Sequence, residues 1–447
     1  MLGDALAGSR WLVVSRHIGH RFADDRCLGS VHPSGASRMN PPWDMFTLVL
    51  KCVTPCPAYP CRRIFLTLWR VGGLGHSYQA MCRPRYLLFV ILMALAGCVG
   101  PAERLPDSVP PKRVVLVVLA GDNDLSEEVG WRLDALKQGW TPAMGPLFVL
   151  EDRPSIEAPR LLRLVCDDVD GKHYRTLASY PYLTDITSEE LWRAVLADVM
   201  RQSHPAAHMG IVLFSHGTGW LPEGMLAEPR GLLSDNGREM SPELLGEILP
   251  ADRVDYLLFD MCFTAGVEVA YALRQRVPLL LVSSAEMVSP GFTPLFRSSL
   301  RFLYGPQPEG LTAWARDYAS LVEQQTDLRR SGTLSLVSTA PLDELAEAMQ
   351  GMTLPSDLGG LQRFDRGVGA PLFYDLGQVI TLQETLHREK AEDCLRRAVL
   401  YEWHTETFMG HLLLNHHSGM TIYLPTSAYP QLNRAYDKTA WRRAIAL

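Results

Sequence analysis

No repeat at the scale of a fold and no low-complexity tract occurs in this sequence, which excludes a solenoid or a disordered chain. The apolar run at residues 86–94 falls short of the ~20 residues needed to span a bilayer. There is no Gly-x-Ser-x-Gly elbow, which argues against a serine hydrolase built on Ser215 or Ser284. Cys52, Cys56 and Cys61 have no histidine at zinc-like spacing beside them, so a metal reading there stops at three ligands where a structural zinc takes four. Beyond residue 97 there is no basic stripe, and nucleic acid is a disfavoured partner. What is present is an ordinary globular composition, 47% hydrophobic and 21% charged. At 447 residues the chain has room for two or three domains or one large elaborated one.

The charge is unevenly spread. Residues 1–97 carry 11 Lys/Arg and 4 Asp/Glu, a net of +7, whereas the remainder carries 32 and 45, a net of -13. Residues 1–80 show scattered arginine, cysteine, proline and glycine without helix or strand periodicity and read as a spurious or disordered upstream extension. From Met81 the pattern changes. Residues 81–97 hold a basic start, a short apolar run and a small-residue end, the layout of a secretory signal. Leu95-Ala96-Gly97-Cys98 resembles a bacterial lipobox. That resemblance implies lipidation at Cys98 and a chain tethered to the bacterial envelope, and Val99 after the cysteine favours the outer membrane. Translation is then expected to start at Met81. Five of the nine cysteines precede Cys98. With Cys98 acylated, Cys166, Cys262 and Cys394 remain, an odd number that leaves at least one thiol free.

Residues 98–112 are proline-rich and read as a tether. From residue 113 strands and helices alternate. Residues 113–120 (RVVLVVLA) form a continuous β-branched apolar run, as expected of a strand buried on both faces. Further strands are expected at 147–152, 209–215, 254–260 and 279–284, with 161–166 as a hairpin partner of the second. The helices are expected at 188–202, 241–248 and 265–275, with Ser188 heading the first of them. Such alternation implies right-handed crossovers and a parallel sheet covered by helices on both faces, over residues 113–300. Residues 301–447 are less regular and read as an extension packed on that domain. In it, strands are expected at 333–338 and 421–424 and helices at 342–349 and 378–400.

Two strand ends carry chemistry. The strand at 209–215 runs into His216-Gly217-Thr-Gly-Trp220, and the one at 254–260 runs into Met261-Cys262. If these strands are parallel neighbours, ~4.8 Å apart, His216 and Cys262 leave the sheet at the same edge. A thiol and an imidazole distant in sequence and joined by the fold suit nucleophilic catalysis. Cys262 would attack a carbonyl while His216 manages protons. A helix starting near Thr264 would favour the thiolate. The N–H groups of Gly217 and Cys262 would receive the oxyanion. Set against this, a lone cysteine is usually an inert apolar residue and a lone histidine a turn residue.

The blocks at residues 119–125 (LAGDNDL), 213–220 (LFSHGTGW) and 259–270 (FDMCFTAGVEVA) together resemble the clostripain family of cysteine endopeptidases, with weaker similarity at 373–377 and 418–425. The likeness spans about residues 113–445. It implies a caspase-like αβα sandwich with a mostly parallel central sheet. It also implies that Asp260 lines a pocket selecting Arg or Lys before the scissile bond, which suits a desolvated carboxylate. Trp220 either lines the cleft or packs. Self-cleavage in a linker between the histidine and the cysteine is a family trait, and here Arg230 stands in a Pro/Gly-rich loop. Some relatives use calcium. Asp122 and Asp124 are the candidates, although turn and capping chemistry also explains them, and no cofactor is otherwise expected. The resemblance departs at Met261, Phe263 and Thr264, which puts pocket shape in doubt. The competing expectation is an inactive member of the family, a surface lipoprotein that only binds.

Overall fold

The computed structural model describes residues 13–16, 45–49, 65–69, 113–222, 231–235, 237–351, 358–367, 369–382 and 388–446. The expected signal, Cys98 and the tether lie outside these, as does Arg230. The chain divides into two units, Met1–Arg104 and Leu105–Leu447. In the first, Val13–Arg16, Met45–Val49 and Phe65–Trp69 pair as a three-stranded antiparallel sheet. These strands were not legible as periodicity, because each is only four or five residues long and long connections separate them.

The second unit is built on a nine-stranded sheet. In chain order its strands are β1 (Arg113–Ala120), β2 (Leu147–Asp152), β3 (Arg160–Asp167), β4 (Gly171–Ser179) and β5 (His208–Phe214). Then follow β6 (Val254–Asp260), β7 (Leu279–Val282), β8 (Thr333–Ser338) and β9 (Val399–His404). They lie in the order β9-β8-β7-β6-β5-β1-β2-β3-β4. The five central strands, β7-β6-β5-β1-β2, pair in parallel. Two antiparallel strands close each edge. The result is the expected sandwich with a mostly parallel centre. β1 is buried from Val114 onward, as its unbroken apolar run requires, and β2 is buried throughout. β4, at the edge, has no fully buried residue and no apolar run, so the sequence did not announce it.

Helices cover both faces. On one lie α1 (Ser126–Gly139), the short helix Thr293–Ser298 and α4 (Glu309–Glu323), with Val115, Val117, Val212 and Leu258 facing them. On the other, α2 (Glu189–Arg201) and α3 (Val267–Leu273) pack against Leu116, Ile211 and Phe259. Ser188 caps α2 by accepting from the Leu191 N–H. The expected helix over 378–400 divides in two. Leu376–Thr381 and Arg388–Ala398 are helical, whereas Val399–His404 is strand β9. Its alternating burial and β-branched and aromatic residues (VLYEWH) suit an edge position beside β8 better than another helical turn. Among the described residues no helix is long and apolar enough to cross a membrane.

Candidate active site

The sheet register places the two candidate residues. β6 runs parallel to β5, with Asp260 opposite Phe214. His216 and Cys262 each stand two residues beyond that matched pair, so both leave the carboxyl edge at the same level on neighbouring strands. The loops behind them are in contact. A Cβ at Gly217 would come within 3.1 Å of the Cys262 carbonyl oxygen and of Met261 Cε. Gly219 has a positive φ of 67°, and a Cβ there would fall 2.5 Å from the Phe263 carbonyl. Glycine at these two positions is what lets the His216 loop lie flat on the Cys262 loop.

His216 is held from the far side. Its Nε2 is 2.5 Å from Asp124 Oδ1, whose side chain is 77% exposed. Asp124 belongs to the turn after β1, where Asn123 Oδ1 accepts from the Leu125 N–H and bends the chain towards α1. Sequence reasoning weighed Asp124 as a cation ligand or a turn and capping residue, and not as a partner of His216. That it sits against His216 depends on β1 and β5 being neighbours, which no local pattern reveals.

Cys262 is partly buried and carries no disulfide, as is true of Cys166 and Cys394. The Met287 N–H donates to its Sγ at 3.3 Å, a contact that favours the thiolate. Phe263, directly after it, has φ of 55°, an unusual conformation for a bulky residue, held by its N–H to the Ala285 carbonyl. The helix expected near Thr264 begins only at Val267, with Gly266 as its cap. Its positive end is thus several residues from the thiol, and the Met287 N–H is the nearer source of positive potential. Thr264 instead accepts from the Ser283 N–H and ties the loop to the end of β7.

Two expected substrate-binding residues are placed elsewhere. The side chain of Asp260 is fully buried. Its Oδ2 accepts from Arg132 Nε at 2.9 Å and Nη2 at 2.7 Å, and its Oδ1 accepts from the Phe292 N–H at 3.2 Å. Arg132, on α1, is itself 1% exposed and lies over the Phe214 ring at 3.4 Å. Burial raises the Asp260 carboxyl above its ordinary range, and Arg132 partly offsets this. Asp260 therefore joins α1, β6 and the turn at Pro290–Phe292 and does not open onto a cleft. Arg132, distant in sequence, already supplies the guanidinium that the resemblance assigned to a substrate. Trp220 is also buried, edge-on to Tyr423 at 5.2 Å and tilted on Tyr436 at 5.3 Å, so it packs and does not line the cleft.

The two serines weighed for a serine mechanism are buried. Ser215 Oγ accepts from the Ser234 N–H. Ser284 Oγ is 3.1 Å from His417 Nε2, whose Nδ1 is 3.1 Å from Glu402. That is the order of a Ser-His-acid relay, but Ser284 is 0% exposed and no substrate can meet it. Among the described residues, Asp122 and Asp124 join no group of three ligating side chains. The one such group is Asp167, Asp170 and His173, at an outer hairpin.

Comparison with known proteins follows this geometry. The family model of the clostripain family matches residues 172–353, a span that includes both His216 and Cys262. An inactive zymogen C11 protease from Parabacteroides distasonis is similar over 76% of this chain and 99% of its own, at 26% identity and a TM-score of 0.65. Over residues 172–353 the chain is similar to the clostripain family. It is a clostripain-like cysteine peptidase with the α/β architecture of the C11 proteases. A secreted C11 cysteine protease from Bacteroides thetaiotaomicron, called iotapain, shares the fold at 23% identity, with coverage of 76% and 100% and a TM-score of 0.65. A C11 protease from the same organism in complex with an irreversible peptide inhibitor shares it at 22% identity, with coverage of 75% and 99% and a TM-score of 0.63. No curated protein matches the sequence.

Proposed function

We propose that this clostripain-like chain is an endopeptidase working through a Cys262–His216 dyad. The observation that carries the reading is the matched position of the two residues, each two beyond the Asp260–Phe214 pair at one sheet edge. In the reaction, the Cys262 proton passes to His216 and Sγ bonds to the scissile carbonyl carbon. The N–H groups of Gly217 and Cys262 would receive the oxyanion, a reading supported by the close approach of Gly217 to the Cys262 carbonyl. Collapse of the tetrahedral species breaks the C–N bond, and His216 gives its proton to the leaving amine. Water then hydrolyses the thioester and restores the thiol. Asp124 orients the imidazole through Nε2.

The family resemblance favours Arg or Lys before the scissile bond. Such selection requires a carboxylate that a substrate can reach, and the buried Asp260–Arg132 pair is not one. We also propose attachment to the bacterial envelope through a lipid at Cys98, on the strength of the lipobox, and maturation by cleavage at Arg230. Both positions lie outside the described residues. The test of the dyad is hydrolysis of fluorogenic peptides bearing Arg, Lys, Ala or Asp at the cleaved bond, by the protein and by its Cys262→Ala variant. Cleavage lost in the variant supports the dyad. Cleavage that survives it overturns the mechanism. No cleavage by folded, reduced protein supplied with calcium moves the reading to a surface protein that binds without cutting.

A further inference from the structure

The loop that carries the nucleophile is stapled to the segment leaving β7. The Phe263 N–H donates to the Ala285 carbonyl at 3.0 Å, and Thr264 Oγ1 accepts from the Ser283 N–H at 3.0 Å. The Met287 N–H donates to Cys262 Sγ at 3.3 Å. Where residues 283–287 lie therefore decides what the thiol meets. The backbone ladder does not fix them. β7 pairs with β8 only as far as Val282, opposite Ser335, and the same register continued would set Ser284 opposite Thr333. There a side chain takes over. Thr333 Oγ1 accepts from the N–H groups of both Ser284 and Ala285, each at 3.0 Å. One acceptor shared by two successive N–H groups curls the chain around a single point.

With both lone pairs taken, the Thr333 hydroxyl is left to donate to Ser283 Oγ, at 2.9 Å. Ser283 in turn reaches the Ala285 and Thr333 carbonyls, each at 3.0 Å. Ser283, Ser284 and Thr333 are all 1% exposed or less. A buried polar network with its members satisfied is rigid. The neighbours point away from it. Glu286 meets Arg366 at the rim, and the Ser284 hydroxyl is held by His417 at 3.1 Å. An N–H favours a thiolate only while it stays aimed at the sulfur, so a rigid carrier for Met287 bears directly on the reactivity of Cys262.

We propose that Thr333 is a positioning residue for the nucleophile: its hydroxyl, oriented by Ser283, sets residues 283–287 so that the Met287 N–H meets Cys262 Sγ. Thr333 stands on β8, beyond residue 300, so the C-terminal part of the chain completes the site as well as packing on it. The proposal rests on the Cys262–His216 reading, but its main readout needs no cleavage. That readout is alkylation of Cys262 by iodoacetamide in the full-length protein, resolved by mass spectrometry across pH, with the exposed Cys166 as internal reference. Thr333→Val keeps the shape and removes the hydroxyl. It is expected to slow Cys262 alkylation at neutral pH about 10-fold and to move the midpoint of its pH profile upward, with Cys166 unchanged. Thr333→Ser restores the hydroxyl and is expected to stay within about 2-fold of the parent. On a peptide that the parent cleaves, Thr333→Val should lower kcat about 10-fold with KM within about 2-fold. The proposal is overturned if Thr333→Val keeps the parent's alkylation rate or midpoint, whatever its thermal stability, or if Thr333→Ser is as slow as Thr333→Val. Should Thr333→Val not fold, Ser283→Ala is read in its place, because it withdraws the group that orients the hydroxyl and leaves both N–H groups paired. A several-fold slowing with a raised midpoint then supports the proposal, and the parent's rate overturns it. If the parent cleaves no peptide, the dyad reading fails on that result, while the alkylation series still decides the role of Thr333.

Discussion

The rim of the site and the floor beneath it use similar residues to opposite ends. On the floor, Arg132 and Asp260 form an ion pair shut away from water between the Phe214 ring and the Pro290–Phe292 turn. On the rim, Asp124 meets His216 with its carboxylate largely in solvent, and Arg366 meets a partly exposed Glu286. A dry pair locks the elements it joins, because opening it strands a charge. A wet pair orients a side chain and can still exchange partners. Position relative to solvent, and not residue type, decides which carboxylate serves structure and which serves chemistry.

The comparison can be broken from either side. The largest effect is expected on the rim. His216→Ala or Cys262→Ala should lower kcat/KM at least about 10³-fold, with thermal unfolding close to that of the parent. A matching loss of folded structure would mean that these residues belong to the floor. Next in size is the floor itself. Arg132→Ala leaves Asp260 unpaired in a dry site and should cost about 3–5 kcal/mol of stability, seen as a lowered midpoint in denaturant. A midpoint that does not move would show that water reaches the pair.

A smaller effect sharpens the contrast. Asp124→Asn should lower kcat/KM about 10-fold through poorer orientation of His216, while unfolding barely changes. Stability loss without kinetic loss would reverse its assignment.

The last effect is read only through pH and concerns a buried acid on the floor side. Glu268, on α3, accepts from the Tyr423 N–H with one oxygen, and its other oxygen is buried without a partner. Burial pushes its carboxyl from 4.5 up to about 8. The folded chain therefore keeps a proton that the unfolded chain releases, so stability contributed by Glu268 is full below about 4.5 and declines as pH rises towards 8. Denaturant midpoints measured across that window should fall with pH, and Glu268→Gln should flatten the slope. A slope of the same size in the variant would place the titration elsewhere.

Much of this was legible in the residues. The unbroken apolar run of β1 announced a doubly covered strand, and the His-Gly and Asp-x-Cys blocks stood at strand ends, where register could align them. Those signals are local, set by burial patterns along single elements and by residues that must follow a strand directly. The edge strands β4 and β9 were not legible, because exposure on one side removes the continuous pattern and β9 follows straight on a helix. Nor were the partners of the site. Arg132 on Asp260, Asp124 on His216 and Arg366 on Glu286 join residues 80 to 128 positions apart. The sequence by itself determined the family resemblance and the parallel core, and it singled out the candidate pair. Only the tertiary structure decided which acid is buried and which is open, because solvent exposure and the neighbouring charge arise when distant segments pack, and together they set what a carboxylate can do.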